Sequence, residues 1–166
     1  SFWVPALMPK TDLVAGRVNE TWLQADRPGT YRGQCAEYCG LQHANMAFEV
    51  IAQPRADYDA WLAARQAPAA APASAAERRG LQVFEQSACA SCHTIRGTTA
   101  QGKVGPDLTD LAARSTIGAG AAPNDRGHLA GWIVDSQTLK PGNKMPPQPL
   151  APQDLQDLLA YLETLR

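Results

Sequence analysis

Two short stretches carry residues whose types and spacing could do chemistry. In Cys89-Ala90-Ser91-Cys92-His93 two thiols stand three residues apart with an imidazole directly after them. That spacing lets both thiols add covalently to the vinyl groups of one haem while the adjacent histidine reaches the iron from the same face. A redox disulfide would call for a surrounding βαβ pattern and half a zinc site for a second C-x-x-C; neither is present. A haem of this kind needs a sixth ligand, and the same half of the chain offers His128 and Met145. Met145 lies in KPGNKMPPQPL, where Pro and Gly forbid helix and hold an extended loop against a flat cofactor. A thioether there raises the reduction potential, although loop methionines also serve as gap fillers. His128 opens the run HLAGWIVDS and reads as a helix-start or surface histidine.

The second stretch is Cys35-Ala36-Glu37-Tyr38-Cys39-Gly40-Leu41-Gln42-His43-Ala44-Asn45-Met46. In a compact loop Cys35, Cys39, His43 and Met46 could converge. Thiolate, imidazole and thioether together select copper over magnesium or calcium, and zinc has little use for a thioether. A zinc site and a Cys35–Cys39 disulfide are the alternatives.

These stretches need elements to position them. The 166 residues are 45% hydrophobic and 19% charged, with a formal net charge of -1, which gives no sign of a nucleic-acid partner. No window approaches the roughly 18 apolar residues of a membrane span, and no signal-peptide pattern is present. The composition shifts at Ala67 to Ala76, APAAAPASAA, which has no charge, aromatic or large aliphatic residue and reads as a flexible tether. Such a tether would keep the two stretches close without fixing one docking pose. It divides residues 1–66, with six Lys/Arg against seven Asp/Glu, from residues 77–166, with nine against nine.

In the first part, large and polar residues alternate through Val18, Trp22, Leu23 and Tyr31, broken by the turn signal Arg27-Pro28-Gly29, and AFEVIAQ resumes the pattern from Ala47. That predicts a β-meander, closed by a short helix after Pro54. In the second part, Ser74 and Glu77 form a capping box before a run containing Leu81 and Phe84. Leu155, Leu158, Leu159, Leu162 and Leu165 then make the stripe of a terminal amphipathic helix, with Pro152 and Asp154 in its first turn. This part is mainly helical. Gly80 and Phe84 against Tyr161 predict a helix crossing in which glycine permits close backbone approach.

Residues 77–166 resemble a class I cytochrome c, on GLQVFEQSACASCHTI, GPDLTDL, NKMPP and DLLAYLETL. The resemblance implies that Cys89 and Cys92 hold haem c, that His93 and Met145 ligate its iron, and that the Pro106 carbonyl accepts from the His93 imidazole. Trp132 resembles the family's aromatic near a haem propionate, while a core tryptophan is an equal reading. Residues 1–53 resemble cytochrome c oxidase subunit II around its binuclear copper centre, from SFWVPAL through CAEYCGLQHANM. Carried over, Cys35 and Cys39 bridge both coppers, His43 and the backbone carbonyl of Glu37 complete one, and Met46 binds the other. The fold implied is the C-terminal part of an all-β cupredoxin barrel over residues 1–66, followed after the 67–76 tether by an all-α cytochrome c.

The combination resembles subunit II of caa-type bacterial oxidases. It implies a membrane-anchored parent on the outer, periplasmic or extracellular face of the cytoplasmic membrane. Its partners are a soluble donor such as a cytochrome c and the catalytic haem-copper subunit I. This chain only transfers electrons, within an oxidoreductase. The family places a further histidine directly before its S-[FW]-W-V-P motif, and here the sequence starts at Ser1. The copper site is therefore expected to be incomplete as written, and the chain to be a fragment whose anchor lies upstream. Two other functions fit the same motifs: a stand-alone cytochrome c carrier with a metal-free first module, and the same role in a nitric or nitrous oxide reductase.

Overall fold

The computed structural model describes residues 1–166. Sheet lies in the first third and helix dominates the rest, in the order expected. Strands β1 (Phe2–Trp3), β2 (Gly29–Cys35) and β3 (Ala47–Ala52) form an antiparallel sheet in that order. Its register pairs Gly29 with Ala52 and Gln34 with Ala47, so the connection from Ala36 to Met46 closes as one loop at the end of the β2–β3 pair. Phe2 stacks on Phe48 at 4.9 Å across the sheet.

The strand expected around Val18 to Leu23 does not form. Residues 17–28 carry no strand or helix, with Val18 90% and Trp22 78% exposed. Alternation makes a strand only where a sheet edge supplies backbone partners, and the three strands present offer none to this segment. Helix α1 (Arg55–Gln66) starts after Pro54, as read, and buries no residue.

Helix α2 (Ala75–Gln86) begins on the Ser74–Glu77 capping box, both halves of which are made. It crosses α5 (Pro152–Leu162) at Gly80, where an added Cβ would lie 2.7 Å from the Tyr161 Cβ and run into the Asp157 carbonyl. Phe84, Leu158, Leu159, Tyr161, Leu162 and Leu165 are the centre of the core around this crossing. The crossing is clamped at its rim by Arg79, whose guanidinium donates twice to Asp157, at 2.7 and 3.0 Å. Between these helices lie the short α3 (Cys89–Cys92), the hairpin β4 (Thr116–Ile117) with β5 (Ala122–Pro123), and α4 (Arg126–Leu139). Helix α4 is broken at Asp135, with φ -153° and ψ 90°. The Asp135 carboxylate restarts the last turn by accepting from Gln137 N–H at 3.0 Å and Thr138 Oγ1 at 2.8 Å.

Residues 67–73 have no regular structure, yet their first part is not free. Ala69 N–H donates to the Arg96 carbonyl at 2.9 Å, and the Arg96 guanidinium donates to the carbonyls of Arg65 and Ala67. An apolar Ala/Pro stretch still presents backbone carbonyls, and a guanidinium with five donors can collect them. No helix is long and apolar enough to cross a membrane.

Candidate haem and copper centres

A cavity of about 640 Å³ opens in the helical part, within the size range of a cofactor pocket. Cys89, Cys92, His93 and Met145 all line it, with Phe84, Leu129, Trp132, Leu158 and Leu162 among its apolar walls. One turn of helix, α3, carries both thiols, and both are free. His93 follows as its C-cap in extended conformation, φ -112° and ψ 148°, which turns the ring out of the helix. Its Nδ1 lies 2.8 Å from the Pro106 carbonyl oxygen. A carbonyl can only accept, so Nδ1 carries the proton and Nε2 keeps its lone pair for a metal. Gly105 lies over the same ring: a Cβ there would stand 2.6 Å from Nδ1, so only glycine leaves the imidazole its place.

Met145 is held through its backbone. Its N–H donates to Asn143 Oδ1 at 2.8 Å, and its carbonyl accepts from Ser136 Oγ at 2.7 Å and Gln137 Nε2 at 3.1 Å. Asn143 Nδ2 in turn donates to the carbonyls of Ser136 at 3.1 Å and Lys140 at 2.8 Å. Ser136 is wholly buried. Sequence reading missed Ser136 and Gln137 and gave Asn143 no role. The available signal was the polar Ser-Gln pair that follows the largely apolar run from Leu129 to Val134.

Trp132 is half-buried in the cavity wall, its ring against Gly118. Lys140 lines the same wall, is 7% exposed, and donates only to the Gly118 carbonyl, at 2.7 Å. Burial lowers its pKa, and no carboxylate of the chain pairs with it. His128 does not reach the cavity. It sits in the first turn of α4, where the Asp125 N-cap accepts from its N–H at 2.9 Å and lies 2.7 Å from its Nδ1.

The residues around the cavity therefore suit a flat, largely apolar cofactor. Two thiols point to one wall, an unprotonated imidazole nitrogen is available, a thioether loop stands among the lining residues, and an unpaired cation is ready for an anionic edge.

The other cluster occupies the loop between β2 and β3. Cys35, the last residue of β2, has its Sγ 3.6 Å from Cys39 Sγ and 3.3 Å from the Glu37 carbonyl oxygen. Cys39 Sγ lies 4.0 Å from His43 Nδ1, and the ligand atoms of these three residues lie within 4.8 Å of one another. A turn of 3-10 helix, His43–Asn45, presents the imidazole. Met46 follows it and is 39% exposed, with its carbonyl taken by Cys35 N–H at 3.0 Å. The Glu37 carboxylate points elsewhere, to Lys10 at 2.6 Å, so only its backbone faces the sulfurs.

The electrostatics favour a thiolate. Hydrogen bonding with the Glu37 backbone, then with His43, pulls the Cys35 thiol down to about 6, whereas Cys39, bonded to Cys35, is pushed up. One thiol of the pair thus ionises first, and a bound cation would draw the second proton off. The Ser1 amino nitrogen lies 3.4 Å from Cys35 Sγ. The donor set, two thiols with an imidazole and a carbonyl, suits a soft metal ion such as copper.

Comparison with known proteins agrees with both halves. Residues 77–166 match the family model described as Cytochrome c, and residues 1–53 match Cytochrome C oxidase subunit II, periplasmic domain. The whole chain is 44% identical to "Cytochrome c oxidase subunit 2" of Alkalihalophilus pseudofirmus, covering 48% of that protein. The same-named protein of Bacillus sp. (strain PS3) is 35% identical over 87% of the chain and 43% of its own length. "Probable cytochrome c oxidase subunit 2" of Rickettsia bellii is 44% identical over 42% of the chain and 26% of its own length. The chain spans about half the length of the first two relatives.

Proposed function

This chain belongs to the cytochrome c family through residues 77–166, with the periplasmic domain of cytochrome c oxidase subunit II before it, and on that premise we propose its role. It is the subunit through which electrons enter a respiratory haem-copper oxidase. They pass from a soluble donor by way of covalent haem c to a binuclear copper centre, and on to the oxygen-reducing subunit. The observation that carries the reading is the presence, in one chain, of a C-x-x-C-H cavity faced by a methionine loop and a second cluster of two thiols and an imidazole.

When bound, the haem and the copper pair supply one-electron redox chemistry with no bond made or broken in a substrate. Cys89 and Cys92 would hold the haem covalently through their thiols. His93 offers Nε2 to the iron, oriented by the Pro106 carbonyl, which also makes the imidazole more electron-rich. The Ser136, Gln137 and Asn143 bonds hold the Met145 loop at the cavity, where its thioether would be available to the haem iron. Trp132 and Lys140 serve the haem carboxylates. Cys35, Cys39, His43, the Glu37 carbonyl and Met46 are the groups that would hold the copper centre. The cupredoxin barrel, the membrane anchor and the position on the periplasmic face are parts of the same proposal.

The test is the copper-to-iron ratio of the full-length protein by elemental analysis, read with its reduced visible spectrum. A binuclear centre beside one haem gives two coppers per iron and a methionine-ligated haem spectrum. Iron without copper would leave a cytochrome c carrier and refute the oxidase role.

A further inference from the structure

Residues 77–166 carry nine cationic and nine anionic side chains, yet the two signs are placed differently. The lysines of this part, Lys103, Lys140 and Lys144, all stand at the cavity: Lys140 and Lys144 line it, and Lys103 precedes the lining residue Val104. None of the three is in an ion pair. The carboxylates lie elsewhere, since none lines the cavity, and most are already answered. Asp107, Asp110, Asp157 and Glu163 pair with arginines, Glu77 caps α2, and Glu85 accepts from the Thr99 N–H and Oγ1. A module of no net charge thus has a positive side, at the cavity mouth.

Within the cavity Arg114 is paired with Asp110 at 3.2 Å, and Lys140 is buried in the wall, where it answers the cofactor's own carboxylates. Lys103 and Lys144 are exposed, and their charges are left for a partner. With them at the mouth are exposed apolar lining residues: Val104, 83% exposed, Pro106 and Pro146. Val104 and Pro106 come from the loop that holds His93, and Pro146 follows Met145, so apolar surface reaches the mouth from both ligand loops. An apolar patch edged by charge has the composition of a protein contact face. Few polar groups need partners there, which suits the short-lived contacts of electron carriers, typically below about 1,200 Å² in buried area.

We propose that the donor of this chain is a carrier with an acidic face, which docks over Val104 and Pro146 with its carboxylates toward Lys103 and Lys144. This rests on reading the cavity as a haem site. One electron leaves the partner's redox centre and ferric haem becomes ferrous; no bond forms or breaks and no proton is needed. A basic carrier meets like charge at the same mouth and is turned away. The lysines act chiefly on the rate of encounter, so their effect is strongest at low salt.

The experiment mixes the full-length, haem-loaded protein with reduced flavodoxin, an acidic carrier without a haem band, and with the same flavodoxin after its carboxylates are amidated with ethylenediamine, which reverses its sign. Haem reduction is followed by stopped flow from about 10 mM to 1 M salt, over which the Debye length falls from about 30 Å to about 3 Å. The acidic form should reduce the haem faster at low salt and slow as salt is added, whereas the amidated form should start slower and gain. Lys103→Glu and Lys144→Glu should each slow the acidic form on the order of tenfold at low salt, lose that effect at high salt, and leave the reduced haem spectrum unchanged. Arg78→Glu, the same change of charge on α2 outside the cavity lining, should do far less. A salt dependence of the opposite sign, none at all, or an Arg78→Glu effect equal to those of the lysine variants would overturn the proposal. A protein without a haem band would refute the haem reading instead. Amide shifts at Val104 and Lys144 on adding oxidised flavodoxin would then still decide the surface: shifts that salt abolishes support it, and their absence overturns it.

Discussion

Replacing Asn143 and Ser136 separately by alanine should loosen Met145 by different amounts, and the difference can be worked from the hydrogen bonds. Ser136→Ala removes one donor from the Met145 carbonyl, but Gln137 Nε2 remains on it at 3.1 Å. No acceptor is orphaned, so the cost is one net hydrogen bond, about 1 kcal/mol. Asn143→Ala removes the acceptor of Met145 N–H and the donor to the Ser136 and Lys140 carbonyls; the fourth bond of the side chain, from Ser136 Oγ at 3.1 Å, shares a proton that the Met145 carbonyl also accepts and is not counted. That comes to roughly 3 kcal/mol. The assay is displacement of Met145 by added imidazole, followed through the methionine-ligated absorption band. At about 1.4 kcal/mol per tenfold, imidazole should bind roughly fivefold tighter to the serine variant and on the order of 100-fold tighter to the asparagine variant. Met145→Ala is the control: it keeps covalent haem, loses the band from the start and has a lower potential. Equal shifts in the two variants, or none while the haem stays bound, would refute the argument that these bonds present the thioether.

Cys35→Ser and Cys39→Ser in the full-length protein should each abolish the mixed-valence signal in electron paramagnetic resonance while sparing the haem spectrum; a surviving signal would sink the bridging assignment. Gly80→Ala forces a Cβ into the α2–α5 crossing, 2.7 Å from that of Tyr161, and should cost about 1–3 kcal/mol or more in denaturant unfolding. Arg79→Met removes the cation that lowers the Asp157 pKa. A depressed carboxylate pKa stabilises above the unfolded value of about 3.9 and that gain is lost as pH falls through the folded pKa. The variant should therefore lose stability mainly at neutral pH and show a flatter acid limb; a pH profile parallel to that of the unaltered protein would contradict this.

How much the sequence disclosed depended on the range of the interaction. Cys89, Cys92 and His93 were legible as a group because they fall within one turn of chain and line one cavity, and Cys35, Cys39 and His43 because a single loop brings their ligand atoms together. The capping box at Ser74 and the leucine stripe of α5 were legible for the same reason, since both are satisfied within a turn or two. The strand around Val18 was misread because alternation describes one chain, whereas a strand needs an edge from another. Ser136 and Gln137 escaped because their partners depend on the break at Asp135, which no residue pattern announces. The tether was misread in its first part because an alanine stretch looks inert until the carbonyls it offers to Arg96 are counted.

Lys140 gives the haem site its electrostatic sign. It is the buried cation of a cavity that Arg114 and Lys144 also line, it donates only to a carbonyl, and burial already lowers its pKa. A fixed positive charge favours the form of the cofactor with the extra electron, so it raises the reduction potential. Its ammonium also favours ionised haem carboxylates, which pull the potential down, and the two effects share one partner. Lys140→Met removes the cation, and a carboxylate left in an apolar wall then has its pKa raised toward neutrality. The potential of the variant should lie lower by on the order of tens of millivolts at alkaline pH, as expected for a unit charge in a medium of effective dielectric near 20. It should recover part of that loss as pH falls and the carboxylate takes up a proton. Redox titration from pH 6 to 9 separates the effects, since a loss of equal size at every pH would mean that Lys140 acts on the iron alone, and no loss at any pH would mean that its charge does not reach the haem.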